Sequence, residues 1–237
     1  MNKEKRTYKI VAKDVYQAAL EGNWDGMIRA YRGSSNMYLM SPVTVSEDTP
    51  LHLAVYSKKG WPLKALLYIA DKNPMLGNPC TKKNAYGNTV LHEAVYAGNM
   101  EAVQHLLQFT PKEQGEYDPS MQLQTKNALG ETPLYRAAAS GKKEIVEYLA
   151  RQTGQISEGK LSEDHRKRED SKPILHAAIQ GHHFGFVLNP FILSQTRLLR
   201  HLAHTFIPKH FRYNLNLQFI RKKESKMTLY FLMQTLL

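Results

Sequence analysis

Ten histidines and a single cysteine, in 237 residues, are the side chains best suited to metal or nucleophilic chemistry in this chain. A bound zinc needs about four Cys, His or carboxylate ligands gathered at short spacing. His52 and His92 instead hold the same place in two copies of one motif, Thr49-Pro50-Leu51-His52 and Thr89-Val90-Leu91-His92. Their rings are expected to hydrogen-bond between neighbouring copies. His182 and His183 follow Gly181 in the same phase. His201 and His204 stand in a basic stretch with no Cys or carboxylate cluster beside them, which argues against zinc. Cys80 has no partner for an intramolecular disulfide, fits a reducing compartment, and has no nucleophile signature around it. Ser34, Ser35 and the tyrosines show no accompanying base. Gly87, Gly98, Gly130 and Gly141 are scattered in repeat phase, so they form no phosphate loop. The expectation is no catalytic residue, no metal, no cofactor and no small-molecule substrate.

What positions these residues is a repeat. The motif returns as Thr132-Pro133-Leu134-Tyr135 and Lys172-Pro173-Ile174-Leu175, at intervals of about 40 residues. Small pairs follow, Ala54-Val55, Ala94-Val95, Ala137-Ala138 and Ala177-Ala178, and then Gly98, Gly141 and Gly181 in the last three copies. Thr can cap a helix through its hydroxyl. Pro at the first helical position gives up an N–H that has no intrahelical partner there. Leu91 and Leu134 begin an apolar face, the small pair lets a neighbouring helix approach, and Gly98 and Gly141 end the helix with a left-handed residue. A second helix follows in each copy, marked by Met100, Val103, Leu106 and Leu107, and again by Ile145, Val146 and Leu149. Such a helix pair buries its apolar face only by stacking on its neighbours.

In order and residue type the motif resembles the ankyrin repeat, G-x-T-P-L-H-x-A-A-x-x-G. Gly87–Gly98 and Gly130–Gly141 carry the resemblance best, and Tyr16-Gln17-Ala18-Ala19-Leu20-Glu21-Gly22 reads as a degenerate first copy. The resemblance implies an all-α ankyrin-repeat solenoid of four to five helix pairs. The expected domains are an N-terminal segment at 1–13, the array at 14–184 and a basic non-repeat tail at 185–237. An ankyrin unit is usually about 33 residues long, so the surplus is expected in long polar inter-repeat loops at Gln108–Lys126 and Arg151–Asp170.

A narrower resemblance rests on Asn84–Leu107, Asn127–Leu149 and Lys172–Phe184. These look like a plant family with an N-terminal ankyrin array and a C-terminal Pro-Gly-Gly membrane domain, linked to cell death, defence and salt stress. In that family the array lies on the cytoplasmic side of a membrane. This chain has no Pro-Gly-Gly run, and Pro190 stands where a repeat helix should continue, so it reads as truncated before the membrane domain. No window reaches the ~18 uncharged apolar residues of a spanning helix. The start, Met1-Asn2-Lys3-Glu4-Lys5-Arg6, lacks the apolar region of a secretory signal. The chain is therefore expected to be cytoplasmic, and soluble or at most peripheral to a membrane. From 185 to 237 it has eight Lys/Arg against one acid, Glu224, so this tail supplies +7 of the formal +11. It is expected to be poorly ordered.

Ankyrin arrays rarely act as enzymes; the resemblance implies a protein-interaction scaffold, in plant stress or defence signalling. Its ridge is formed by the loop tips and the exposed side of the first helices. The candidate partner-binding residues are those at the motif's free positions: Asp48, Tyr56 and Ser57; Tyr86, Asn88 and Tyr96; Leu129, Glu131 and Ser140. Large amphipathic rings are enriched at binding hot spots, although Tyr56 and Tyr96 can equally be read as packing against the neighbouring helix. The alternative function is binding of anionic membrane or nucleic acid through the tail, where Arg197, Arg200, Lys209 and Arg212 interleave with Phe206, Phe211 and Tyr213.

Overall fold

A computed structural model describes residues 3–111 and 120–156, with His165, Arg168, Asp170, Lys172, Ile174, Ala177 and Ala178. All of them belong to the first of two units, Met1–Phe186; the second, Val187–Leu237, and so the expected tail from 187 on, lies outside the described residues.

Among the described residues the helix-pair pattern occurs four times. The pairs are α1 (Lys3–Leu20) with α2 (Trp24–Ala30), α3 (Pro50–Ala54) with α4 (Trp61–Asp71), and α5 (Val90–Ala97) with α6 (Met100–Gln108). After a short α7 (Ser120–Gln124) comes the fourth pair, α8 (Pro133–Ala139) with α9 (Lys143–Ile156). Among the described residues there is no β-strand, only an isolated bridge between Lys83 and Thr89.

The short first helices start and stop where their sequence requires. Thr49, Thr89 and Thr132 are extended residues immediately before α3, α5 and α8. At the other end Gly98 takes φ 74°, and the N–H groups of Gly98 and Asn99 close back on Val95 and Ala94 at 3.0 Å each. Asn99 then opens α6. Its Oδ1 accepts from the Ala102 N–H at 3.0 Å, while its amide donates to the carbonyls of Val55 and Ser57 at 2.9 and 2.8 Å. One side chain thus caps a helix and ties it to the preceding repeat.

α1, α3, α5 and α8 pack in sequence as an inner row, and α2, α4, α6 and α9 as an outer one. Leu51, Leu91 and Leu134 are buried at the same motif position of three copies, and Ala54, Ala94 and Ala137 have no accessible surface. Leu63, Leu66, Val103, Leu106, Val146 and Leu149 fill the space between the rows. Burying one such leucine contributes about 2–3 kcal/mol.

Four sequence expectations change in detail. α1 begins at Lys3, so residues ahead of Asp14 are part of the first helix. Tyr8 anchors it by donating to the Pro42 carbonyl and packing its ring 5.7 Å from that of Tyr38. The expected loop Gln108–Lys126 contains α7, held by Leu123 in the core and by the Gln122 amide donating to the Leu106 carbonyl at 2.9 Å. The expected loop Arg151–Asp170 begins inside α9, whose Thr153 is buried and bonds back to Leu149 and Ala150. Finally, the last motif copy is displaced by one residue. The Arg168 N–H donates to the Lys172 carbonyl at 3.0 Å, as Asn84 does to Asn88 and Asn127 to Glu131. Lys172 therefore takes the place of Asn88 and Glu131, ahead of the capping position. That Lys172 is exposed while Ile174 and Ala178 are buried agrees with this phase.

Candidate functional site

The turns ahead of α5 and α8 are built alike. Asn84 Oδ1 accepts the N–H groups of Tyr86 and Asn88 at 3.0 Å each; Asn127 Oδ1 accepts those of Leu129 and Glu131 at 3.0 and 2.9 Å. Short polar side chains favour such turns because they satisfy the backbone locally. The result is two matching tips that hold Tyr86 and Leu129 outward. Successive tips are joined by main-chain bonds, Ala85 N–H to Ser46 O at 2.8 Å and Ala128 N–H to Tyr86 O at 3.0 Å. The earlier tip carries Val45, fully exposed.

A second exposed row lies on the first helices. Counted from the motif position of His52 and His92, the equivalent residues are Leu20, Tyr56 and Tyr96, and all three are exposed. The two rows, Val45, Tyr86 and Leu129 on the tips and Leu20, Tyr56 and Tyr96 on the helices, place large apolar side chains at repeat-equivalent positions.

Between the rows runs a buried polar ladder. Asp48 Oδ1 accepts from Asn84 Nδ2 at 2.9 Å, and the same amide reaches Glu93 Oε1 at 3.1 Å. Glu93 also accepts from Asn88 Nδ2 at 2.6 Å and from the Tyr56 hydroxyl at 2.6 Å. Asn127 Nδ2 donates onward to Asn88 Oδ1 at 2.9 Å and to Glu131 Oε2 at 3.1 Å. Glu131 then meets Arg136 at 3.2 Å and Arg168 at 3.8 Å. The guanidinium of Arg136 lies 4.8 Å from the Tyr96 ring centroid, so the ladder's last step also positions an exposed aromatic. Burial raises the Tyr56 hydroxyl well above the ordinary tyrosine value, and the bond to Glu93 and its charge add to this.

The two motif histidines act as cross-links. Nδ1 of His52 accepts from the Thr49 N–H at 3.2 Å and sits 2.8 Å from the Thr49 hydroxyl. Because Nδ1 accepts, the proton is on Nε2, which donates to Asn88 O in the next repeat at 3.1 Å. His92 repeats this with Thr89 at 3.3 and 2.8 Å and with Glu131 O at 2.9 Å. Burial lowers both pKa values and takes His92 to about 4; the backbone acceptors and nearby carboxylates oppose the fall without reversing it. The expected hydrogen bonds between copies are present.

The nine candidate residues separate into three groups. Tyr56, Tyr86, Tyr96 and Leu129 are exposed. Tyr56 does engage the neighbouring repeat, since its hydroxyl donates to Glu93, while half of its surface stays open. Ser57, Asn88 and Glu131 are buried, at 4%, 3% and 6% exposure, and this corrects the view that they are free of structural duty. Ser57 bonds within its own turn to Lys59, and Asn88 and Glu131 are rungs of the ladder. Asp48 is half-buried and accepts from Thr44 and Asn84; Ser140 is half-buried at the end of α8. Two ridge residues escaped the sequence reading. Leu20 was within reach, because it occupies the Tyr56 position of the degenerate copy. Val45 was not, because its turn holds an extra residue. Glu47 takes φ 62° there, and the closing bond runs from Val43 N–H to Asp48 O.

Among the described residues no group of three or more His, Cys, Asp or Glu side chains is placed to hold a metal ion, and no helix is long and apolar enough to cross a membrane. Cys80 is buried, which pushes its thiol up to about 12. No curated protein matches the chain. A family model for ankyrin repeats (3 copies) matches residues 66–160, from within α4 to beyond α9. With four stacked helix pairs and no strand among the described residues, the fold is an all-α ankyrin-repeat solenoid.

Proposed function

We propose that the array is a protein-binding scaffold whose contact surface is the double row of Val45, Tyr86 and Leu129 with Leu20, Tyr56 and Tyr96. Ankyrin repeats are generally protein–protein interaction modules and typically non-enzymatic. The observation that carries the reading is that six large apolar side chains are exposed at equivalent positions of successive repeats, on tips and helices fixed by a buried hydrogen-bonded ladder. Large apolar groups on a preorganised frame lose little entropy on binding, so they suit hot spots. On the narrower resemblance, the setting is plant stress or defence signalling, on the cytoplasmic side of a membrane. The excess of basic residues between 185 and 237 supports a second reading, in which that segment binds anionic membrane or nucleic acid.

The test compares the full chain with a Tyr86→Ala, Tyr96→Ala, Leu129→Ala variant. Proteins captured from plant extract by both are compared quantitatively, and the partners are then titrated as pure components. At about 2 kcal/mol per hot-spot side chain, the triple variant should bind at least ~100-fold more weakly, with an unchanged circular dichroism spectrum. Partners that bind parent and variant equally would overturn the ridge. Binding that is lost in high salt and survives the triple substitution would favour the basic segment.

A further inference from the structure

The outward face of α4 differs from those of the other outer helices. α6 exposes Glu101 and Gln108, and α9 exposes Lys143, Glu144 and Arg151. α4 buries Pro62, Leu63, Leu66, Leu67 and Ala70. At about 100° per residue, Trp61, Lys64, Ala65, Tyr68 and Lys72 fall along one line on the opposite side. Trp61 and Tyr68 are 39% and 62% exposed, and the Lys72 ammonium lies 5.4 Å from the Tyr68 ring centroid. The one acidic residue of α4 is Asp71 at its end, and two further lysines, Lys58 and Lys59, precede the helix and are exposed. Beyond the helix, Met75 is exposed over 94% of its surface.

We propose that this face of α4 is a peripheral contact surface for an anionic lipid bilayer. Trp and Tyr rings are amphipathic and settle at the headgroup level. Lysines beside them lay their stems along apolar surface and keep the ammonium at the phosphates. Each lysine near an anionic surface contributes about a fivefold increase in partitioning. Lys58, Lys59, Lys64 and Lys72 outnumber the two acids that border the face, Asp71 at the end of α4 and Glu101, whose carboxylate accepts from the Gly60 N–H. The net charge is therefore complementary to anionic headgroups, and the lysines coincide with the aromatic line. The face points away from the core formed with α3, and it is distinct from the ridge of tips and first helices.

Trp61 reports on this face directly. The chain has two tryptophans, so in a Trp24→Phe variant of the full chain, excited at the red edge where tyrosine does not absorb, Trp61 is the sole emitter. Mixed phosphatidylserine–phosphatidylcholine vesicles should shift its emission to the blue and shield it from acrylamide, and pure phosphatidylcholine vesicles should do neither. Adding Lys64→Gln and Lys72→Gln should lower partitioning about 30-fold, with an unchanged circular dichroism spectrum. Vesicle binding with unchanged Trp61 emission would place the lipid contact elsewhere and overturn the proposal. An equal response to neutral vesicles would overturn it, as would no response at all. Shielding of Trp61 before vesicles are added would also overturn it, because another part of the chain, or a second copy, would then already cover the face.

Discussion

Acid should weaken the array through its motif histidines, and His92 permits a worked magnitude. Its neutral ring has no accessible surface and links Thr89 to Glu131 O. Its folded pKa of about 4 lies below the ordinary 6.5. The unfolded chain therefore takes up the proton first as pH falls. Stability is fully present above about 6.5, declines between 6.5 and 4, and is lost with no further change below 4. At 1.36 kcal/mol per tenfold change in proton affinity, the complete loss is about 3 kcal/mol, of which about 2 kcal/mol is reached near pH 5. His52 acts in the same direction, since burial is its largest influence too. The perturbation is His92→Gln, which removes the titrating site. Urea unfolding followed by circular dichroism, near pH 7.5 and near pH 5, is the assay. At the higher pH the variant should be about 1–2 kcal/mol less stable, because a helix cap and a cross-repeat hydrogen bond are lost. Between the two pH values it should lose about 2 kcal/mol less than the parent. Carboxylate titration affects both proteins alike and cancels in the comparison. If the two pH profiles ran parallel, the argument that His92 is held neutral by burial would be refuted.

Other predictions address the ladder, the close approach of repeats and the thiol. Glu93→Ala leaves the Tyr56 hydroxyl and the Asn84 and Asn88 amides without their shared acceptor, so it should cost about 3 kcal/mol or more; a cost below about 1 kcal/mol in the same unfolding assay would mean that the ladder is not structural. Gly87 and Gly22 both have positive φ, but a Cβ on Gly87 would lie 2.5 Å from Ala128 N, whereas one on Gly22 meets nothing within 4 Å. Gly22→Ala should therefore cost about 1 kcal/mol and Gly87→Ala clearly more, and equal midpoints would disprove the tight stacking of adjacent tips. Cys80 should react with a thiol reagent at mildly alkaline pH only once the array unfolds, because burial keeps the thiol protonated; rapid labelling of the native chain would contradict its placement.

Much of the array was legible in the residue order because its determinants are local. Thr before Pro50, Val90 or Pro133, and Gly98 after α5, dictate where a helix starts and stops through backbone chemistry within one turn. The apolar spacing of Val103 and Leu106 shows which side of α6 must be covered. The role of His52 and His92 followed from their motif, since a ring fixed at the start of a short helix reaches the adjacent copy. Exposure was harder to read. Asn88 and Glu131 look like free polar positions in the motif, yet both are buried where repeats meet: Asn127, 39 residues away, donates to the Asn88 side chain, and His92, also 39 residues away, donates to the Glu131 carbonyl. The one-residue displacement of the last copy was missed because Lys172-Pro173 mimics Thr-Pro, although Leu175-His176 matches Leu91-His92 in the displaced phase; the bond from Arg168 to Lys172 and the exposure of Lys172 reveal it. The same limit applies to α4, whose apolar residues alone do not distinguish a core face from an open one. Local sequence thus determined the helix pairs and their caps. Which polar groups close the ladder, and which large side chains remain in solvent, was decided only when the repeats stacked, because burial depends on neighbours some 40 residues away.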